Sequence, residues 1–226
     1  MAGTLYIVAT PIGNLDDITL RAIEVLKQVD VIAAEDTRHT KILTSRYEIN
    51  TRLTSYFQYN QIKKTDFLID LLKKGQNVAL VSDSGTPGIS DPGFTVIKKA
   101  IEEGITVIPI PGPSSFLTAL SVSGLPTNKF IFEGFLSSKS AHRQKQLAEL
   151  KAEERTVIIY ESPHRLLKTL NDILEVIGDI HIVCARELTK KFEEIRREKV
   201  SEAVKHFSGT KILGEFIIMF NPDGGK

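Results

Sequence analysis

Five short segments of this chain combine residue types that do chemistry with residues that shape backbone. The longest runs from Ser82 to Gly93 (Ser-Asp-Ser-Gly-Thr-Pro-Gly-Ile-Ser-Asp-Pro-Gly), with three glycines and two prolines in twelve residues. That composition gives a low-bulk loop in which backbone can approach a ligand closely. Ala9 to Leu15 (Ala-Thr-Pro-Ile-Gly-Asn-Leu) is a second such loop. Its glycines are too few and wrongly spaced for a dinucleotide fingerprint, and it lacks the lysine and hydroxyl of a phosphate loop. A ligand held there is not gripped through a pyrophosphate. Ala33 to Thr40 sets Glu35 and Asp36 beside Arg38 and His39, a group able to move protons or bind a polar substrate. The alternative is Asp36 as a helix N-cap with exposed neighbours. Zinc is not indicated, since no second histidine lies at helical spacing. Tyr160-Glu161-Ser162-Pro163-His164-Arg165 places Glu161 and His164 where a strand gives way to a helix, with Ser162 as cap and Pro163 in the first turn. No Gly-x-Ser-x-Gly elbow accompanies it, which excludes one serine-hydrolase arrangement. Ala185-Arg186-Glu187-Leu188-Thr189-Lys190 is the fifth; Arg186 and Glu187 could equally be a surface ion pair.

Each segment follows an apolar run with the length of a buried strand. In the first half strands at 5–9, 31–34, 52–55, 78–81 and 106–110 alternate with helices at 18–29, 37–47, 62–74, 94–101 and 114–122. Asp17 is placed as the first N-cap, and Gly75 and Gly104 as helix stops. Such alternation predicts a mostly parallel sheet covered by helices on both faces, with ligands outside the carboxyl ends of its strands. Pro111-Gly112-Pro113 and Gly124 to Asn128 then break the pattern. Beyond them, strands at 130–135, 156–160, 180–185, 192–200 and 215–220 alternate with helices at 142–151, 164–177 and 201–207, which predicts a mixed sheet with antiparallel pairs. The expected division is an α/β domain over 1–112 and a second over 113–226, with a frayed end from Asn221 to Lys226.

Composition is ordinary for a globular protein, with 42% hydrophobic and 25% charged residues among 226. No apolar run approaches the ~20 residues that span a bilayer. Strand character begins directly after Thr4, read here as the absence of a signal peptide and as a cytoplasmic location. The single cysteine, Cys184, excludes an internal disulfide and sits in an apolar run as a core thiol. A net charge of +1 does not advertise nucleic acid as a partner. Lys139, His142, Arg143 and Lys145 form one local basic cluster. Lys190, Lys191, Arg196, Arg197 and Lys199 form another, interleaved with Glu193, Glu194 and Glu198 as a solvated face would be.

Taken in order, the segments 5–15, 32–40, 82–93, 109–115, 160–167 and 185–190, closed by Gly214-Glu215, resemble the tetrapyrrole-methylase superfamily. Within it they resemble most closely the bacterial 16S ribosomal RNA cytidine 2′-O-methyltransferases, from about residue 4 to 220. The resemblance implies a two-domain α/β fold with S-adenosylmethionine in a cleft between the domains, usually in a homodimer, and no metal. It implies cofactor contacts at Pro11, Asp83, Gly85, Ile89, Ser114, Ser115, Tyr160, Ala185, Arg186 and Gly214. Small-molecule members carry Gly-Asp-Pro where this chain has Gly85-Thr86-Pro87, so no aspartate role passes to Thr86. The ribosomal members often have a further C-terminal segment, which this chain is expected to lack or to have lost. The implied partner is 16S rRNA in the small ribosomal subunit, without a membrane. The catalytic candidates are Glu35, Asp36, Glu161 and Lys190, with His164 and Glu187 as further possible bases. The RNA contacts are Arg38, His39, His164, Arg165 and Arg143, and on this reading both basic clusters face RNA. The other reading is a methyltransferase acting on a tetrapyrrole-like small molecule; the charged loops at 35–39 and 161–165 favour RNA. A third is a module that senses the cofactor without catalysis.

Overall fold

The computed structural model describes residues 2–223. By its internal contacts the chain divides into two compact units, Met1–Ser114 and Ser115–Lys226. Among the described residues no helix is long and apolar enough to cross a membrane.

The first unit holds strands β1 (Leu5–Val8), β2 (Val31–Ala34), β3 (Arg52–Ser55), β4 (Val78–Val81) and β5 (Val107–Ile110). Between them run helices α1 (Leu20–Gln28), α2 (Thr37–Arg46), α3 (Gln61–Lys73) and α4 (Phe94–Glu102). The sheet order is β3-β2-β4-β1-β5 and every pairing is parallel. All four residues of β2 (Val-Ile-Ala-Ala) and of β4 (Val-Ala-Leu-Val) are buried, as expected of central strands covered on both faces. Alternation along the strands divides the core. Val8, Ile32, Ala34, Ala79 and Val81 pack with Ala22 and Leu26 of α1 and Leu43 of α2. Leu5, Ala33, Val78 and Leu80 pack with Leu68 and Leu72 of α3 and Val96 and Ala100 of α4. Each fully buried Leu or Val contributes about 1.5–3 kcal/mol relative to exposure.

The connection from β1 leads to β2 in one direction along the sheet, while that from β4 leads to β5 in the other. Right-handed crossovers put such connections on opposite faces, as the two cores confirm. The neighbouring strands β1 and β4 therefore part company at their carboxyl ends, where open α/β sheets form their binding crevice.

Asp17 does not cap α1. It belongs to a 3-10 turn, Leu15–Asp17, whose cap is Asn14, and Thr19 caps α1 by accepting from the N–H of Ala22 at 3.1 Å. Gly75 and Gly104 do end their helices, with φ of 85° and 68°.

The second unit holds α5 (Ser115–Ser121), β6 (Phe130–Phe135), α6 (Ser140–Leu150) and β7 (Thr156–Glu161). It continues with α7 (Leu166–Val176), β8 (His181–Arg186), β9 (Glu194–Lys199), α8 (Val200–Ser208) and β10 (Phe216–Phe220). The sheet order is β6-β7-β10-β8-β9. Only β6 and β7 pair in parallel; the other neighbours are antiparallel, so the sheet is mixed. One face carries Val157, Ile159, Ile182, Cys184, Phe216 and Ile218 against α6, α7 and α8. Cys184 is fully buried there, and burial pushes its thiol up to about 12.

The expected turn at Ser162-Pro163 differs. Ser162 does not cap α7, since its carbonyl accepts from the N–H groups of Arg165 and Leu166 in a turn before the helix. Asn221 is not frayed: it is buried, and its side-chain amide donates to the carbonyl of Glu154 at 3.0 Å. Residues 224–226 of the expected frayed end lie outside the described residues.

Candidate functional site

The loops leaving β1, β4 and β5 are knitted together at the carboxyl edge of the first unit. Thr10 and Gly85 exchange two backbone hydrogen bonds of 2.9 and 3.0 Å, an antiparallel bridge between the first two loops. The Thr10 hydroxyl donates to the Ser82 carbonyl at 3.1 Å. Thr86 Oγ1 donates to the Pro113 carbonyl at 3.4 Å, which ties in the third loop. Gly85 has φ 77°, a left-handed conformation that favours glycine. A Cβ on Gly93 would stand 2.9 Å from the backbone nitrogen of Gly88, so that turn closes only without a side chain. Pro11 and Gly85 are buried, Asp83 and Ser114 half-buried, and Ile89 exposed. The fold thus brings Pro11, Asp83, Gly85, Ile89 and Ser114 to one edge of this unit. No lysine or arginine occurs in 9–15, 82–93 or 111–115, whereas Asp83 and Asp91 do. The loops suit a neutral or cationic ligand better than a phosphate.

Asp83 links two loops: its Oδ1 accepts from the Asp36 N–H at 2.9 Å. Glu35, next to that contact, lines an open cavity of about 300 Å³ with Gln58, Gln61, Ser90 and Asp91. Burial first, then the charge of Asp83, raises the Glu35 carboxyl above its ordinary value, against a hydrogen bond from the Asp83 backbone. It is suited to accepting a proton. Asp36 is not. It caps α2 through the Arg38 N–H at 2.8 Å and binds the Arg38 side chain at 2.6 Å, which hold it well below the usual carboxylate range. The expectation of Asp36 as a base is corrected accordingly. Arg38 and His39 are exposed at the start of α2.

In the second unit, register assembles the candidate contacts. Ile217 of β10 stands opposite Tyr160 on one side and Ala185 on the other, so the three share a sheet row. The Tyr160 hydroxyl and Ser115 Oγ are 2.6 Å apart. Phe132 and Phe135 meet the Tyr160 ring edge-on, with centroids at 4.8 and 5.5 Å, and Phe116 stacks on Phe132 at 4.6 Å. Arg186 donates to the Leu213 carbonyl at 2.8 Å and lies over the Phe216 ring. Beyond β8, Lys190 Nζ lies 2.9 Å from Glu187 Oε1 and 3.0 Å from Glu215 Oε2. Partial burial lowers the Lys190 pKa, but the bonds from Glu187 and Glu215 outweigh it and the net shift is upward. Lys190 is therefore a cation, not a base.

Three further expectations are corrected by burial and pairing. Glu161 lies one residue beyond Tyr160 and so projects from the opposite face. Its carboxylate has 0% exposure and is occupied: Oε2 accepts from Thr169 at 2.5 Å and Arg165 at 3.2 Å, and Oε1 accepts from the Ser162 N–H at 2.7 Å. It anchors the start of α7 and does not reach a substrate. Arg165, expected at RNA, spends its guanidinium on Glu161 and on the Leu136 carbonyl at 2.7 Å. Arg143 is 2% exposed, with its guanidinium 2.5 Å from Asp172, inside the helical layer rather than on it. His164 is exposed. Part of the second basic cluster is engaged within the unit: Arg196 pairs with Glu198 and Glu194, and Arg197, still charged, donates to the carbonyls of Val122 and Ser123.

Sequence reasoning missed Gln58 and Gln61, which line the same cavity as Glu35. It also missed Glu215 as a partner of Lys190, although the Gly214-Glu215 pair was itself a signal.

Comparison with known proteins agrees with this architecture. A ribosomal RNA small subunit methyltransferase I from Halalkalibacterium halodurans is 50% identical over 99% of this chain and 78% of that protein. One of the same name from Thermotoga maritima is 49% identical over 97% of this chain and 98% of its own length. The crystal structure of uroporphyrin-III-C-methyltransferase from Thermus thermophilus superposes with a TM-score of 0.69 at 20% identity, covering 98% of this chain and 96% of that one. The family model of tetrapyrrole (corrin/porphyrin) methylases matches residues 4–204, and the chain belongs to that family.

Proposed function

We propose that this protein is an S-adenosylmethionine-dependent methyltransferase that modifies the 2′-oxygen of a cytidine ribose in 16S rRNA of the small ribosomal subunit. The observation that carries the reading is the extent of the likeness. Relatives named for small-subunit rRNA share about half their residues with this chain through both units. Porphyrin and precorrin enzymes share only 20% or less, a level that speaks for fold alone.

The residues present fit this cofactor. The loops at 9–15, 82–93 and 111–115 offer close backbone, apolar Ile12 and Ile89, and carboxylates without a basic residue, as a cofactor with a sulfonium and no phosphate requires. Pro11, Asp83, Gly85, Ile89 and Ser114 would hold it from the first unit; Ser115, Tyr160, Ala185, Arg186 and Gly214 are the proposed contacts from the second. When bound, S-adenosylmethionine supplies an electrophilic methyl whose leaving thioether needs neither a proton nor a metal.

The protein's task is then to orient and to deprotonate. Holding the ribose oxygen in line can lower the barrier by roughly 7–11 kcal/mol. Glu35 accepts the 2′-hydroxyl proton, a contribution of about 10²–10⁴-fold. The 2′-hydroxyl restricts the acceptor to RNA. Exposed Arg38, His39 and His164 contact the rRNA backbone, and the protein works as a cytoplasmic homodimer. The test offers radiolabelled S-adenosylmethionine with small subunits lacking the modification, naked 16S rRNA, or uroporphyrinogen III. Label in ribosomal RNA supports the reading; label confined to the tetrapyrrole overturns it.

A further inference from the structure

The segment after β8 is built at some conformational expense. Glu187 and Thr189 both take left-handed backbone, φ 50° and 65°, although neither is glycine and threonine is branched at Cβ. The Thr189 hydroxyl oxygen is sealed from solvent with no hydrogen-bond partner. Strained, over-determined backbone of this kind collects at functional sites. What it achieves is visible in the side chains. Glu187 is folded back so that its Oε1 accepts from Lys190 Nζ at 2.9 Å and from the Glu215 N–H at 3.2 Å. Its own N–H donates to the Glu215 carbonyl at 3.1 Å. Room for that carboxylate exists because residue 214 is glycine: a Cβ there would stand 2.4 Å from Glu187 Cγ and 2.6 Å from Oε1. Gly214 also has φ 93°.

Resting on the methyltransferase reading, the geometry points to Glu187 as a positioning residue. Together with Glu215 and the space left at Gly214, it fixes Lys190 as a charged donor to a hydroxyl oxygen of the RNA acceptor. An ammonium has three donors, and two are taken by the carboxylates. The remaining N–H belongs to a group that is 30% exposed. Two carboxylates and one ammonium leave the cluster with one negative charge, which disfavours a phosphate and suits a ribose hydroxyl. Around Lys190 the other charged groups are Glu193, whose carboxylate accepts from the Thr189 N–H at 2.6 Å, Arg186, which is paired with Glu194, and exposed Lys191. The two paired carboxylates raise the Lys190 pKa overall, consistent with a donor that stays charged through neutrality.

The test uses the full-length protein, wild type and Glu187→Gln, Glu215→Gln and Gly214→Ala. Methyl transfer to unmodified small subunits is followed across pH, and the Lys190 side chain is titrated by NMR after ¹³C-lysine labelling, assigned with Lys190→Arg. Glu187→Gln is expected to lower kcat about tenfold or more with KM changed less than about twofold, a loss within the range for a transition-state donor. It also moves the falling alkaline limb of the rate profile, and the NMR midpoint of Lys190, to lower pH. Gly214→Ala, which displaces the Glu187 carboxylate, reproduces both effects. Wild-type transfer with an unmoved profile in Glu187→Gln, or a loss confined to KM, overturns the inference alone. No transfer to ribosomal RNA by the wild type overturns the function it rests on as well.

Discussion

Replacing Arg143 with methionine would remove a guanidinium from the interior of the second unit while keeping most of its aliphatic volume. Arg143 is 2% exposed and its partner Asp172 9% exposed. The guanidinium donates to Asp172 Oδ2 from Nε at 2.6 Å and to the Ser137 and Ser138 carbonyls at 3.2 and 3.4 Å. Without it, Asp172 retains only neutral donors: Gln144 at 3.0 Å and Ser140 at 3.4 Å. Breaking one half of a buried pair costs about 3–5 kcal/mol, because the survivor's charge is left uncompensated. With a urea m-value of about 1–3 kcal/mol/M, the midpoint of the second unit should fall by roughly 1–5 M. Equilibrium urea unfolding followed by circular dichroism measures the loss, and filter binding to 16S rRNA at several salt concentrations measures affinity. Arg143→Met/Asp172→Leu, which removes both charges, should recover most of the lost stability. Unchanged stability with weakened, less salt-dependent RNA binding would refute the structural assignment and return Arg143 to an RNA-facing role.

Other outcomes follow from the same geometry. Glu161→Gln replaces one acceptor of the Thr169–Arg165–Ser162 cluster with a donor and should destabilise the second unit by about 1–3 kcal/mol, read by thermal unfolding, with turnover per folded molecule preserved. Glu35 binds its proton more tightly folded than unfolded, so the stability it contributes is present in acid and lost as pH rises through its raised value. Glu35→Gln should therefore show a urea midpoint above wild type near neutrality, a gap that closes in acid, together with loss of the proton-acceptor limb of the rate profile. Cys184, buried with its thiol pushed up to about 12, should resist a thiol reagent in the native protein and react at once in denaturant, as absorbance of the released chromophore would report.

Much of the fold was legible because period and composition agree in it. Continuous apolar quartets such as Val-Ala-Leu-Val can be only central strands when glycine-rich loops follow them, and β2, β3 and β4 fall where the sequence places them. Helix starts were less legible. Asp17 and Thr19 are both good caps, and a 3-10 turn closed by Asn14 decides between them. The candidate site divided along a similar line. Glu35 and Lys190 keep positions at strand ends. Glu161 and Arg143 do not serve as expected, because a one-residue step along a strand, or a step of one or two residues around a helix, carries a side chain from a free face into a core. Charge type alone cannot distinguish those placements; the partners Asp172 and Thr169 lie 29 and 8 residues away. The strain at Glu187 and Thr189 left no trace either, since positive φ is legible mainly where glycine marks it.

Methyl transfer to one ribose of small-subunit rRNA is measured by mass spectrometry of nuclease fragments from unmodified small subunits incubated with the protein and deuterium-methyl S-adenosylmethionine. A single deuterated methyl is expected on the 2′-oxygen of one cytidine, lost when Glu35 is replaced by glutamine. A methyl on a base, or none on RNA despite measured cofactor binding, would contradict the proposed ribose methylation.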